Sequence, residues 1–129
     1  MGTEINKNKC IFCDWSSREI LVEDEHAVAF FDAFPVNPGH VLIVPKKHVA
    51  DYFDLEPALQ QACMKLLNQA KVLIQERYNP EGFNIGINAG AAAGQTIFHV
   101  HLHLIPRYLG DMPDPRGGVR GVIPDRRSY

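Results

Sequence analysis

The sequence predicts an α+β fold in which one long helix packs on an antiparallel five-stranded sheet. Short apolar segments of strand type precede and follow a single stretch with helical periodicity. The turns between the early segments are too short for the crossover helices that parallel strands require. With 129 residues the chain has the length of one domain, so residues 1–129 are predicted to form a single unit.

Three strand candidates lie in the first third of the chain. Glu19 to Val22 is a short strand candidate, and His26 to Phe34 is longer and richer in apolar residues. Residues 35–39, PVNPG, predict a turn, because proline, asparagine and glycine favour chain reversal. The segment HVLIVPKKH then begins as a buried strand, which stops near Pro45.

The one clear helix runs from Leu55 to about Tyr78. Asp54 is the predicted N-cap, and Pro57 falls in the first turn, where a missing N–H does no harm. The Asn79–Pro80 pair ends the helix, because proline disfavours helical backbone in the residue before it. The apolar stripe recurs at three- and four-residue steps and ends in a charged residue: Leu55, Leu59, Ala62, Leu66, Ala70, Leu73 and Arg77.

Two further strands and a tail complete the chain. Phe83 to Asn88 alternates as a half-buried strand, and residues 90–94, GAAAG, form a loop of small residues. Gln95 to Ile105 is the last strong strand, ended by Pro106. The tail, residues 107–129, has four glycines and three prolines and is predicted to be extended.

Composition excludes several classes of protein. No apolar run approaches the roughly 18 residues that span a bilayer, and the N-terminus has no signal-peptide core, so we expect no membrane association. The net charge of −2 argues against nucleic acid as a partner. Three cysteines without a disulfide pattern fit a reducing compartment, so a cytoplasmic location is expected. The tail is more basic, with five arginines and three aspartates, and either contacts phosphate or is simply solvated.

The segment His99-Val100-His101-Leu102-His103 is the most informative in the chain. Because a strand alternates faces, its three histidines are predicted on one face and the apolar residues on the other. Three interpretations are open: surface histidines held by hydrogen bonds, a metal site, or nucleophilic catalysis. In the last, a neutral imidazole attacks phosphorus while an acceptor holds its other ring nitrogen.

The segment GQTIFHVHLHLIPR resembles the signature of the histidine triad (HIT) hydrolases and transferases, and the resemblance extends back through FFDAFPVNPGHVLIVPKKH to CIFC. It implies an HIT-like fold and a two-step reaction on a nucleotide α-phosphate. His101 would be the nucleophile, forming a covalent nucleotidyl-histidine that water or another acceptor resolves. It also implies that a backbone carbonyl near His99 holds His101 and that His103 lies on the phosphate side.

The resemblance also implies a set of nucleotide-binding residues. Asp32 matches the position that contacts the ribose hydroxyls, and its carboxylate can accept hydrogen bonds from them. His40 matches a fourth histidine that approaches the triad. The other matching positions lie near the phosphates (Asn88, Gln95 and Thr96) or along a base pocket (Phe12, Trp15, Phe30 and Phe31). For the aromatic residues, core packing is an equally valid interpretation.

Cys10 and Cys13 form a C-x-x-C pair within residues 1–17, the predicted zinc-binding segment. A zinc site needs two further ligands, for which His48 and His99 are the candidates. Some histidine triad relatives bind a metal with matching residues, and the zinc expected here is structural and closed. Two buried thiols or a redox pair are the alternatives.

Together these features predict a hydrolase or transferase that acts on diadenosine polyphosphates or related adenosine nucleotides. A nucleoside phosphoramidase and a non-catalytic nucleotide-binding protein are the alternatives. The resemblance further implies a homodimer.

Overall fold

The computed structural model describes residues 10–129, so the first nine residues of the predicted zinc-binding segment lie outside it. It contains one sheet and one α-helix, in the chain order β1 Ile20–Glu23, β2 Ala27–Phe31, β3 Val41–Pro45, α1 Pro57–Tyr78, β4 Gly82–Ile87 and β5 Leu102–Arg107. The strands are arranged β1-β2-β3-β5-β4, and every neighbouring pair is antiparallel. The predicted α+β fold with a five-stranded antiparallel sheet is therefore confirmed. None of the helices within residues 10–129 is long and apolar enough to cross a membrane.

The sheet separates the main core from the histidine face. On one face, Ala29, Ile43 and Leu104 pack with the buried side of α1 in the larger hydrophobic cluster. On the other face, Phe30 and Leu42 belong to a smaller cluster of buried residues. Leu42 pairs with His103 in the register of β3 and β5, which places His103 on this second face. The helix therefore covers one face and leaves the other for chemistry.

The helix begins at Pro57, two residues later than predicted. Its N-cap is Glu56, without a side-chain hydrogen bond, whereas Asp54 ends a short 3-10 turn, so the predicted cap was wrong. The helix ends at Tyr78, followed by Asn79 in the left-handed conformation. The buried stripe is rotated from the predicted one and consists of Cys63, Leu66, Leu67, Ala70 and Ile74.

The last strand is shorter than predicted, because β5 starts at Leu102 rather than at Gln95. It also continues through Pro106. The carbonyl of Pro106 accepts a hydrogen bond from Asn37 Nδ2 on the β3 side, and its nitrogen faces the same way. Since β3 pairs with β5 only as far as Leu104, the missing N–H of Pro106 breaks no ladder hydrogen bond.

The tail folds back toward β4 through two 3-10 turns, Gly118–Val122 and Pro124–Arg126, so it is not extended throughout. Its start is held by Arg107, whose Nε donates to Asp111 Oδ2 at 2.7 Å. Gly117 has φ 89°, and a Cβ there would meet the backbone oxygen of Arg127, so this reversal requires glycine.

Candidate active site and metal site

His101 is held in a defined tautomer by one backbone group. Its Nδ1 lies 2.8 Å from the carbonyl oxygen of His99. A carbonyl oxygen only accepts hydrogen bonds, so in the neutral ring Nδ1 carries the proton and Nε2 keeps its lone pair. The residue is 8% exposed, and its ring contacts the ring of Phe12 at a centroid distance of 5.0 Å. This arrangement leaves one basic nitrogen available to attack an electrophile.

A second hydrogen-bond chain sets the tautomer of His103. The Val36 N–H donates to His40 Nδ1 at 3.0 Å, so the ring proton of His40 is on Nε2. That Nε2 lies 3.0 Å from His103 Nδ1 and donates to it. In the neutral ring, His103 therefore carries its own proton on Nε2. Its ring lies beside that of His101, with the centroids 5.3 Å apart, so it can offer an N–H donor next to His101.

Burial keeps His103 and His40 neutral. It lowers the pKa of His103 to about 4, with contributions from His101 and His40 and an opposing effect of Asp32. Burial also lowers the pKa of His40, which Asp32 again opposes. Near neutral pH both rings therefore act as neutral hydrogen-bonding groups, consistent with the chain from Val36.

Asp32 lies at the end of this chain. Its Oδ1 accepts from the Phe34 N–H at 2.9 Å, and its Oδ2 is 3.5 Å from His40 Nε2. Asp32, His40 and His103 thus converge as three possible metal ligands. Because His40 Nδ1 already accepts from Val36, however, its Nε2 holds a proton and points no lone pair at a metal. The group fits a proton-ordered hydrogen-bond chain better than a metal site.

The second cluster has the composition of a zinc site. Cys10, Cys13, His48 and His99 place one ligand atom each within 4.8 Å of the others. Cys13 Sγ is 3.1 Å from His48 Nδ1, Cys10 Sγ is 3.4 Å from His99 Nδ1, and the two Nδ1 atoms are 3.1 Å apart. Ligands on one tetrahedral zinc, with bonds of about 2.0–2.3 Å, lie about 3.3–3.8 Å from one another. The residues therefore fit a tetrahedral Cys₂His₂ zinc site.

The tautomer of His99 supports this assignment. Its Nε2 donates to the carbonyl oxygen of Pro45 at 2.8 Å, which leaves a lone pair on Nδ1 facing the sulfur atoms. Burial lowers the pKa of His99 to about 4, against the effect of the Pro45 hydrogen bond, so the ring is neutral as a metal ligand must be. The same residue holds His101 through its backbone carbonyl, so the two sites share His99.

The three residues predicted to lie near the phosphates, Asn88, Gln95 and Thr96, differ in burial and in their contacts. Asn88 lines a cleft with His40 and His103, whereas Thr96 is exposed. Gln95 is 5% exposed, and both ends of its amide are already hydrogen-bonded within the protein. The structure thus brings Asn88 to the histidines but engages Gln95 in holding its own loop.

The aromatic residues are not brought together as one wall. Phe12 and Phe30 pack against each other on the histidine face but are 3% and 0% exposed. Trp15 packs beside them, and its Nε1 donates to the carbonyl of Phe12 at 2.6 Å. Phe31 packs on the opposite face of the sheet, against Tyr78 of the helix, and its exposed part lines a cleft beside Asp32.

The tail contributes a feature that the sequence analysis missed. A cleft of about 430 Å³ is lined by His40, His103 and Asn88 on one side and by Gly118 and Val122 of the tail on the other. No sequence motif marks this contact, because it depends on how the tail folds back over β4.

This sheet, with His99, His101 and His103 at alternate positions, is that of a histidine triad protein. The HIT domain matches residues 16–110, and the chain belongs to that family. An uncharacterized HIT-like protein of Mycoplasma genitalium is 43% identical over 105 residues, which are 78% of this chain and 74% of that protein. The AP-4-A phosphorylase of Mycobacterium tuberculosis is 36% identical over 93 residues, which cover 71% of this chain but 48% of that protein.

Solved structures agree with the fold. A HIT family protein from Bacillus anthracis superposes with a TM-score of 0.75 at 41% identity, over 81% of this chain and 77% of that one. A Zn-bound histidine triad family protein from Mycobacterium smegmatis gives a TM-score of 0.72 at 36% identity, over 84% of this chain and 81% of that one. The predicted HIT-like fold is therefore confirmed.

Proposed function

We propose that this protein is a nucleotide α-phosphate hydrolase or transferase that works through a covalent intermediate on His101. The observation that carries the proposal is the 2.8 Å hydrogen bond from His101 Nδ1 to the His99 carbonyl, because in the neutral ring it places the lone pair on Nε2, on the side of the ring away from that carbonyl. Membership of the HIT family supports a nucleotide as the ligand.

In the proposed first step, His101 Nε2 forms a bond to the α-phosphorus, and the bond from phosphorus to the leaving oxygen breaks with its electron pair. The N–H that His103 presents stabilises charge on the phosphoryl oxygens. In the second step a water oxygen bonds to phosphorus and releases a proton to solvent. The P–N bond then breaks, which returns the neutral imidazole and frees the nucleoside monophosphate. Asp32 would accept hydrogen bonds from the ribose hydroxyls.

The proposed substrates are diadenosine polyphosphates and related adenosine nucleotides. The name of the AP-4-A phosphorylase relative supports this choice, since it matches 71% of this chain. The cleft between His103 and the tail gives a long leaving group a place to lie. The tail carries five arginines, and the charge-assisted hydrogen bonds of arginine suit distant phosphates.

Zinc is the proposed resident metal, held by Cys10, Cys13, His48 and His99. When bound, it would be structural, because all four ligand positions are filled by protein and none is left for substrate. The Zn-bound relative from Mycobacterium smegmatis supports the proposal. We further propose a homodimer in the cytoplasm.

The test of the function is trapping of the intermediate. His101→Ala should abolish both turnover of diadenosine tetraphosphate and labelling of the protein by α-phosphate-labelled substrate, a loss of several orders of magnitude. His26→Ala is the matched control, because His26 is exposed and paired with Glu25 away from the site. Substantial turnover by a folded His101→Ala variant would contradict the assignment.

The same substrate panel separates the alternatives. A preference of more than about tenfold in kcat/KM for an adenosine phosphoramidate, ~1.4 kcal/mol in the transition state, would identify a phosphoramidase. Binding of adenosine monophosphate without turnover of either substrate would identify a non-catalytic binding protein.

A further inference from the structure

Arg18 is the strongest feature that the proposed mechanism does not use. Its guanidinium carbon lies 5.3 Å from the centroid of the Phe12 ring and 5.0 Å from that of Phe30. Both rings are buried, so neither has a free face for a ligand. The guanidinium therefore lies over the aromatic pair on the histidine face of the sheet.

Most hydrogen-bond donors of Arg18 are unused within the described part of the chain. A guanidinium has five N–H donors, and here Nη2 makes one long contact, 3.5 Å from the Ile11 carbonyl oxygen. None of the ion pairs among residues 10–129 includes Arg18. The guanidinium is thus positioned by cation–π contacts with Phe12 and Phe30 rather than by an ion pair with a carboxylate. Its remaining N–H groups are available to a ligand.

Arg18 lies near both Asp32 and His101, the residues proposed to contact the ribose and the α-phosphate. Arg18 and Asp32 line the same cleft, whose volume is about 320 Å³, and Phe31, whose ring packs against Tyr78, lines it as well. The Phe12 ring beneath Arg18 also contacts the ring of His101. A nucleotide with its α-phosphate at His101 and its ribose at Asp32 would direct its base toward this cleft.

We propose that the guanidinium of Arg18, rather than an aromatic ring, is the surface on which the nucleobase stacks. The inference rests on the proposed function, because it requires a nucleotide at His101. A guanidinium is planar and weakly hydrated, so it stacks on π-systems in a way that an ammonium does not. Because every base has a π-face, stacking of this kind gives affinity for a nucleoside with little choice between adenine and guanine.

The experiment compares ligands with and without a base. Calorimetry would measure the Kd of adenosine monophosphate, guanosine monophosphate and ribose 5-phosphate for the wild type and for Arg18→Ala, Arg18→Lys and Arg116→Ala. Arg18→Ala should weaken both nucleotides about tenfold or more, within the range of base-stacking losses, and leave ribose 5-phosphate unchanged. Arg116 is the matched control, because it is an exposed arginine that pairs with Asp114 and lines neither this cleft nor the one at His103.

Arg18→Lys keeps the charge and the apolar stem over the rings, so it tests the idea even if Arg18→Ala does not fold. It should also lose affinity for nucleotides, because an ammonium has no plane to stack. Equal weakening of nucleotides and ribose 5-phosphate, or unchanged affinity in a folded variant, would overturn the inference. So would a wild-type preference of more than about tenfold between the two nucleotides, which stacking alone does not produce.

The two proposals fail in different ways. If the wild type forms the covalent intermediate but the Arg18 variants bind nucleotides normally, the inference alone is wrong. If the wild type binds neither the nucleotides nor ribose 5-phosphate, the proposed function and the inference are both wrong.

Discussion

Single hydrogen bonds decide the chemistry of the histidines. Three chemically equivalent imidazoles in the sequence become three different groups in the fold, because each meets a different partner. In the neutral rings, the carbonyl of His99 places the lone pair of His101 on Nε2, and the carbonyl of Pro45 places that of His99 on Nδ1. His103 accepts from His40 and so presents an N–H. The proposed roles of nucleophile, metal ligand and donor rest on the atom that each ring presents.

Gln95 is predicted to stabilise its loop rather than to bind phosphate. Its Oε1 accepts from the Gly90 N–H, and its Nε2 donates to the carbonyls of Ala50 and Ile97. Gln95→Leu removes three hydrogen bonds to partly buried backbone groups, so we expect the free energy of unfolding in urea to fall by about 2–3 kcal/mol. Gln69→Leu is the control, because Gln69 is exposed on the helix. Unchanged stability together with a strongly raised KM would instead return Gln95 to a phosphate-binding role.

Among the structural elements, the irregular segment between residue 95 and β5 determines where the rings of His99 and His101 lie. The histidine alternation predicted a strand through this region, but ladder pairing begins only at Leu102. Val100 instead bonds to the Val49 carbonyl, at 2.8 Å, beyond the end of β3. This departure from the strand allows the His99 ring to reach the cysteines while His101 stays beside His103.

The zinc-binding segment is expected to couple metal binding to stability. About one zinc per chain should be found by elemental analysis. Cys10→Ala should lose the metal and lower the Tm, because assembly of the site is linked to folding. Cys63→Ala is the control: Cys63 lies buried in the helix, where burial raises the pKa of its thiol to about 11, so this variant should keep its zinc. Stoichiometric zinc in the Cys10→Ala, Cys13→Ala double variant would contradict the assignment.

At the scale of the whole molecule, the sheet separates stability from chemistry. The α1 face holds the larger core, including Ile43 and Leu104, while the opposite face carries His101, His103 and Arg18. Substitutions on the histidine face can therefore change chemistry while the main core stays intact.

A homodimer is expected to form through the β4 edge of the sheet. This strand has six residues, ends the sheet and carries Ile85, which is 47% exposed. Sedimentation at micromolar concentration should give twice the chain mass of 14.5 kDa. Ile85→Lys should shift the protein toward monomer, whereas Ile20→Lys on the opposite edge strand, where the side chain is 40% exposed, should not. A wild-type monomer would refute the expectation.

The secondary structure, the fold class and several candidate site residues could be predicted from local sequence patterns. The strand and helix segments follow apolar periodicity, which depends on residues close in sequence, and their order implied the α+β fold. The C-x-x-C pair and the alternating histidines indicated the candidate zinc ligands and catalytic residues, because few other roles require these residue types at such spacing.

Tertiary structure decided what those residues do. The proposed zinc ligands include Cys10 and His99, and the candidate active site joins His40 to His103, so each site depends on contacts between residues 60 or more positions apart. Arg18 carried no motif, and its place over Phe12 and Phe30 is created only when the N-terminal segment packs on the sheet. The tautomer of each histidine depends on which backbone or ring atom the fold brings within about 3 Å, and periodicity carries no information about such distances.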